Sequence, residues 1–308
     1  MLNRNLIKED IIIDGIDREE FFVMINRFKH LLLQNGVKKG ETTTVIIPKA
    51  GVMNIACVFA CLELGLPLWQ NSDSFWNLDS DVVDFIKNFT EEDRKKLPVN
   101  RVRLFDNASK KLHETSYKHF NLYIGQTENI DFEIDAYDLP DETDDIQPWS
   151  VDYNDTAFIR TENFWKQKEN PFQRVSHAET LLNTYSPLMQ HYKDKNVGIG
   201  LSYQHRNAFK RSILPSLMMA KSITSLVFPP PLTYGTRASD IFMRRGIPRL
   251  QKVDVMYALE DDNMEMIFDS MLELGQDFIQ TLHVVPHEGQ IYDERYVRWE
   301  DELNVKFL

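Results

Sequence analysis

The chain has 308 residues, 43% hydrophobic and 27% charged, an ordinary globular composition that excludes a fibrous repeat, a disulfide scaffold and wholesale disorder. Its 47 acidic residues outnumber 35 basic ones for a net charge of −12, so no general attraction to nucleic acid or to anionic lipid is expected. No apolar stretch approaches the ~20 residues that cross a bilayer, and "MLNRNLIKEDIII" has no signal-peptide pattern, so a cytoplasmic chain without a membrane partner is expected.

In chain order, the first strong signal is a helix within "DGIDREEFFVMINRFKHLLLQNG". Phe21, Ile25, Phe28 and Leu32 recur at helical spacing, Asp17 and Glu20 form a capping pair, and Gly36 is a natural stop. "TTTVII" (42–47) follows as a β-branched strand, "VMNIACVFACLELG" returns to helical spacing, and "LPLW" is a short apolar strand. Cys57 and Cys61, the only cysteines, fall on one face of that second helix and read as core. Together these make a β-α-β unit, which requires parallel strands and a crossover and so predicts an α/β sheet.

Residues 71–98 suggest helices, and "TENIDFEIDAYDLPDETDDIQPW" is an acidic run broken by Pro140 and Pro148. It reads as a solvated connection, with a cation or basic-partner site as the functional alternative. Strand candidates then alternate with helical segments. The strands are "DTAFIRT", "NVGIGLS", "SITSLVF", "KVDVMYA" and "IQTLHVV"; the helices are "SHAETLLNTY", "RNAFKRSILPSLMMA" and "DDNMEMIFDSMLELG". Ser176 with Glu179 is a second capping pair, and Pro187 should stop or bend its helix. Three prolines from Pro229 to Pro231 end a strand near Phe228. The expected fold class is α/β, mainly parallel sheets flanked by helices. It forms one domain over 1–308, divisible into halves 1–127 and 150–308 joined by the acidic connection 128–149.

No nucleophile elbow, P-loop or dinucleotide glycine fingerprint occurs. His283 and His287 are four apart, but Pro286 blocks the helix that would place them on one face, and no metal ligand set is expected. Arg237, Arg244, Arg245, Arg249 and Lys252 form a basic cluster; planar guanidinium forks suit phosphate or carboxylate, and a solvated helix face or contact with the acidic run would explain it equally.

The first 70 residues resemble the N-terminal segment of adenylate-forming enzymes, the superfamily of acyl-CoA synthetases, peptide-synthetase adenylation domains and luciferases. Gly36, Val37, Lys39, Gly40, Val45, Pro48, Ala60 and Gly65 take the family's places in order and spacing. "DTAFIRTENFWKQKENPFQRVSHAETLL" is similar in outline to the family's phosphate loop, with Asp155 and Ala157 in its strand, Thr161 as its first hydroxyl, and Pro171, Ser176 and His177 further on. "LSYQHRNAFKRSILPSLMMA" resembles the next strand and helix and would place His205 at the substrate-side histidine; a rival alignment puts "GLSYQHRNAF" on the helix-start segment instead. "LTYGTRASD" resembles an aromatic motif at Tyr234, Gly235 and Thr236.

The departures bear directly on function. Every glycine of the phosphate loop is missing, Phe164 and Trp165 stand where small residues belong, and the loop lysine is replaced, leaving Lys166, Lys168 or Arg174 to supply the charge. Arg237 stands where the family has an acid used with magnesium, and the resemblance covers the family's N-terminal part, so a chain lacking the lid domain is expected.

The resemblance implies a nucleotide or carboxylate ligand, with ATP or AMP and Mg as the cofactor set. Its catalytic candidates are His177 and His205. The ligand-binding candidates are Thr161, Lys166, Lys168, Arg174, Tyr234, Thr236, Arg237, Arg245 and Arg249. If turnover is retained it is AMP-forming ligation. The alternative is a non-catalytic scaffold whose partner is another protein or a second copy, and a third reading makes the arginine cluster the clamp of a different enzyme class.

Overall fold

The computed structural model describes residues 1–46, 51–70, 100–105, 132–160, 173–200, 207–226, 246–258, 261–286 and 292–308. The described strands form two six-stranded sheets. One holds β2 (Thr42–Ile46), β3 (Leu68–Gln70), β4 (Asn100–Phe105), β5 (Phe132–Asp135), β6 (Thr156–Arg160) and β7 (Gln173–Ser176), in the order β5-β4-β2-β3-β6-β7. The other holds β1 (Ile12–Ile13), β8 (Asn196–Ile199), β9 (Ser222–Ser225), β10 (Val255–Tyr257), β11 (Leu282–Val285) and β12 (Val305–Phe307), in the order β1-β9-β8-β10-β11-β12. These strand pairings are parallel except β6 with β7, so the expected mainly parallel α/β class is the observed one.

Helices fill the space between the sheets. α1 (Arg18–Gln34) and α2 (Val52–Glu63) pack on each other, and α3 (His177–Thr184), α4 (Met189–Tyr192) and α5 (Leu214–Met219) lie beside them. The shared core takes Phe21, Ile25, Phe28 and Leu32 from α1, both cysteines from α2, Val45, Leu104 and Phe158 from one sheet and Val197 and Ile223 from the other. A separate core covers the opposite face of the second sheet, where Phe268, Tyr296 and Trp299 come from α7 (Asp261–Glu273) and α8 (Glu294–Leu303), and Leu250 from α6 (Ile247–Leu250).

Local chemistry fixes the element ends. The Asp17 side chain accepts from the Glu20 amide at 2.9 Å and Ser176 from the Glu179 amide at 3.1 Å, so both capping pairs form as the sequence suggests. Gly36 and Gly65 sit at φ +77° and +63°, closing α1 and α2 in the left-handed conformation that suits glycine. α3 stops at Thr184, two residues before the Ser186-Pro187 pair that cannot stay helical.

Pro215 reshapes the helix that precedes it. It has no N–H for the Arg211 carbonyl, the chain widens into a π turn over Phe209–Ile213, and the buried Tyr192 hydroxyl donates to that carbonyl at 2.8 Å.

β9 ends at Ser225 rather than near Phe228. Its neighbour β1 ends at Ile13, and on that side the Ser225 amide donates to the Asp14 carboxylate at 2.7 Å. The strands β1, β4, β5, β7 and β12 and the helix α8 are not among the sequence candidates, although β5 alternates in "DFEID" and α8 repeats Tyr296, Trp299 and Leu303 at helical spacing on its buried face.

The acidic connection is fastened down. To travel from β5 at one edge to β6, residues 139–149 cross over α1 and α2; side-chain donors of α1 hold the backbone at one end, and side chains of the connection donate to carbonyls at the end of α2 at the other. Arg27 Nε donates to the Pro140 carbonyl and Asn26 Nδ2 to that of Thr143, each at 2.6 Å; Gln147 Nε2 donates to the Glu63 carbonyl at 2.7 Å. Beneath it lies a buried charge cluster. Arg4 Nη2 and Lys29 Nζ approach Glu63 at 2.6 and 3.2 Å, and Lys29 also reaches Asp145 at 2.7 Å, so two cations meet two carboxylates.

Candidate functional site

The carboxyl ends of parallel strands are where α/β sheets bind ligands, because the connections leaving them diverge and open a crevice. On the first sheet, Leu68 pairs with Phe158 in register and both belong to the core between the sheets. Side chains alternate along a strand, so Gln70 and Arg160, two residues on and again paired, face the same way at the carboxyl edge. Arg160 is 5% exposed and Gln70 1%, and Arg160 Nε donates to Gln70 Oε1 at 2.9 Å. One pleat below, the Phe158 ring packs on that of Phe209 in the π turn, with centroids 4.9 Å apart and planes tilted by 54°.

β6 and β7 form a hairpin that leads into α3. Arg174 lies on β7 opposite Ile159 and is exposed. His177, at the start of α3, is fully buried. Its Nδ1 accepts the Leu2 amide at 3.2 Å, which puts the proton of the neutral ring on Nε2, and Nε2 finds no hydrogen-bond partner among the described residues. Burial pushes the imidazole down to about 4, helped by the nearby N-terminal ammonium and by Lys39 and opposed by Asp155. Asp155 is itself held below the usual carboxylate range by the Asp152 amide and by Lys39 at 2.6 Å. His177 is thus a neutral ring packed beneath the Leu2 segment.

The second sheet contributes a polar junction. Asp14 and Gly15 are both left-handed, at φ +51° and +91°, in a tight turn bounded by the Ile13–Ile16 pair. The turn presents the Asp14 carboxylate to three donors: the Ser225 amide, the Ser225 hydroxyl at 2.5 Å, and the Val52 amide at 3.2 Å. A carboxylate from one sheet thereby caps α2, whose own cap residue is Gly51 and offers no side chain. Arg249, exposed on α6, donates from Nη1 to the Ser225 carbonyl at 3.2 Å.

Of the sequence candidates, His177, Arg174 and Arg249 are therefore placed. The first two share the β7–α3 corner, and Arg249 lies at the end of β9. Thr161, Lys166, Lys168, His205, Tyr234, Thr236, Arg237 and Arg245 lie outside the described residues. Arg160, Gln70 and Asp14 are positions that sequence reasoning passed over. A charged residue ending the apolar strand "TAFIR" was the available signal for Arg160. No group of three or more metal-ligating side chains occurs among the described residues, and no helix there is long and apolar enough to cross a membrane.

No family model and no curated protein matches the sequence. Solved structures do match the fold. Unliganded o-succinylbenzoate coenzyme A synthetase (MenE) from Bacillus subtilis superposes with a TM-score of 0.60 at 16% identity, over 98% of this chain and 56% of that one. The fold is that of the N-terminal part of adenylate-forming enzymes. MenE in complex with ATP and magnesium gives 0.61 at 15% identity, covering 96% and 55%. The adenylation domain of a keto acid-selecting NRPS module, bound to keto acyl adenylate, gives 0.61 at 11% identity, covering 92% and 48%. The chain thus spans about half the length of these adenylate-forming structures.

Proposed function

We propose that the protein binds a nucleotide or carboxylate ligand in the crevice at the carboxyl edges of its two sheets, with little or no ligase turnover. The observation that carries this reading is topological. β6, β8 and β9 each run, at their carboxyl ends, into a sequence segment rich in candidate contacts: 161–172 with Thr161, Lys166 and Lys168; 201–206 with His205; and 227–245 with Tyr234, Thr236, Arg237 and Arg245. The adenylate-forming fold supports it, since structures sharing that fold hold ATP with magnesium, AMP and acyl-adenylates. The weak-turnover part of the reading rests on sequence. A loop without glycines cannot readily converge its amides on a polyphosphate, and Arg237 reverses the charge of an acid that the family uses with magnesium.

The test is thermal stability with AMP and with ATP and magnesium. A ligand at 100 times its Kd stabilises the fold by about 2.7 kcal/mol. For a chain of this length the unfolding entropy is about 0.65 kcal/mol per kelvin, so Tm should rise by about 4 °C. No shift at millimolar nucleotide, together with a defined oligomer in light scattering, would replace this reading with the scaffold one, whose partner is a protein or a second copy.

A further inference from the structure

We propose that residues 139–149 form an electrostatic latch, a strap that leaves α1 and α2 while the two sheets stay folded, with the Asp145 carboxylate as the pin that holds it shut. The device does not depend on a ligand in the crevice. The apolar anchors of the strap lie at its ends, where Leu139 and Trp149 pack partly buried against the core and Trp149 Nε1 donates to the Leu64 carbonyl at 2.6 Å. Between them, residues 141–148 are exposed apart from the partly buried Ile146. Among the described residues, no backbone–backbone hydrogen bond fixes 141–149.

Side chains hold the middle of the strap instead. Asn26 Nδ2 donates to the Thr143 carbonyl at 2.6 Å, His30 Nε2 to that of Asp144 at 3.1 Å, and Lys29 Nζ to the Asp145 carboxylate at 2.7 Å. Positions 26, 29 and 30 follow the helical spacing that makes one stripe of α1. A segment with few buried apolar contacts and no backbone ladder opens at a lower free energy than the fold as a whole.

Charge makes Asp145 the pin. Closed, the cluster sets Arg4 and Lys29 against Glu63 and Asp145, and the charges cancel. The Lys29 and Glu63 side chains are 1% and 5% exposed, whereas that of Asp145 is 59% exposed. Salt and water therefore weaken the Asp145 contacts first, and the Arg4–Glu63 pair at 2.6 Å stays buried with the helices. Opening carries one negative charge away and leaves two cations facing one carboxylate. Ionic strength favours that state, because it screens the attraction that closes the strap and supplies counter-ions to the uncovered cations.

The test is limited proteolysis of the native full chain by a Glu-specific protease, at low salt and at about 1 M NaCl. Cleavage after Glu142 is located by mass spectrometry, and its rate is divided by that of a free peptide of residues 136–150 carrying the same substitution. A protease binds an extended segment, so the strap must leave α1 to be cut. Asp145→Asn removes the pin with almost no change of shape. Asp141→Asn removes the same charge outside the cluster, from a fully exposed side chain 3.9 Å from Arg27.

In the wild type, the cut after Glu142 should come before any other and run several-fold faster at high salt. Asp145→Asn should be cut there roughly tenfold faster than the wild type at low salt, with little further response to salt, while Asp141→Asn follows the wild type. The wild-type salt series stands on its own should Asp145→Asn fail to fold. A wild-type rate that does not rise with salt would overturn the latch. So would Asp145→Asn and Asp141→Asn being cut alike, or a cut after Glu142 that appears only together with cuts throughout the chain.

Discussion

Acidification from pH 7.5 to 5.0 should destabilise the protein by an amount traceable to one side chain. His177 is fully buried, accepts the Leu2 amide on Nδ1 and titrates at about 4, against an ordinary 6.5. Above pH 6.5 the ring is neutral in both folded and unfolded chains, and the linkage contributes nothing. Below 6.5 the unfolded chain takes up a proton that the folded one refuses, so stability is lost as pH falls toward 4. At pH 5.0 the unfolded state gains about 2 kcal/mol from protonation and the folded state almost none.

The measurement is urea unfolding at both pH values for the wild type and for His177→Asn, which keeps an acceptor near the Leu2 amide and does not titrate. The stability difference between the two proteins should change by about 2 kcal/mol across this range, the wild type losing more. A difference that stays constant with pH would mean that the ring titrates normally in the fold, and that the packing assigned to it is wrong.

Glu63→Gln leaves the buried Arg4 and Lys29 with the exposed Asp145 as the one remaining carboxylate of the cluster and should cost about 3 kcal/mol in urea unfolding; a loss under about 1 kcal/mol would show that Glu63 contributes little. Tyr192→Phe removes the hydroxyl that donates to the Arg211 carbonyl and should cost about 1–3 kcal/mol, but less in a Pro215→Ala background where residue 215 regains an N–H; purely additive effects in that double-mutant cycle would contradict the coupling. Gly65→Ala forces a side chain into φ +63° with its Cβ 3.1 Å from Val151 Cγ2 and should lower stability by about 1–2 kcal/mol, measured the same way; an unchanged midpoint would contradict the tight turn.

The fold was legible where local signals agreed with tertiary need. The Phe21, Ile25, Phe28 and Leu32 stripe, both capping pairs and the stop at Gly36 all reappear because a 17-residue helix buried on one face must carry them. Strands such as β1 and β12, two and three residues long, are specified by neighbours in the sheet and leave little local trace.

The site was less legible for a similar reason. Arg160 and Gln70 are 90 positions apart, and Asp14 and Ser225 are 211 apart, so only strand order and register bring them together. Histidine at a helix start drew the eye to His177, yet a first-turn position beneath an apolar segment equally suits a neutral, packed ring. Charge in the 128–149 connection suggested solvent or an external cation. Most of residues 141–150 are exposed, and side chains of α1 also hold the backbone of residues 139–143, a requirement set by the path from β5 to β6.

Hydrogen–deuterium exchange read by mass spectrometry, with and without AMP and magnesium, tests the central claim most directly. Protection should appear in peptides that begin at the carboxyl ends of β3, β6 and β9, and should spare the amino ends of β8 to β11. Protection concentrated at those amino ends, or none at saturating nucleotide, would contradict a ligand site in the crevice.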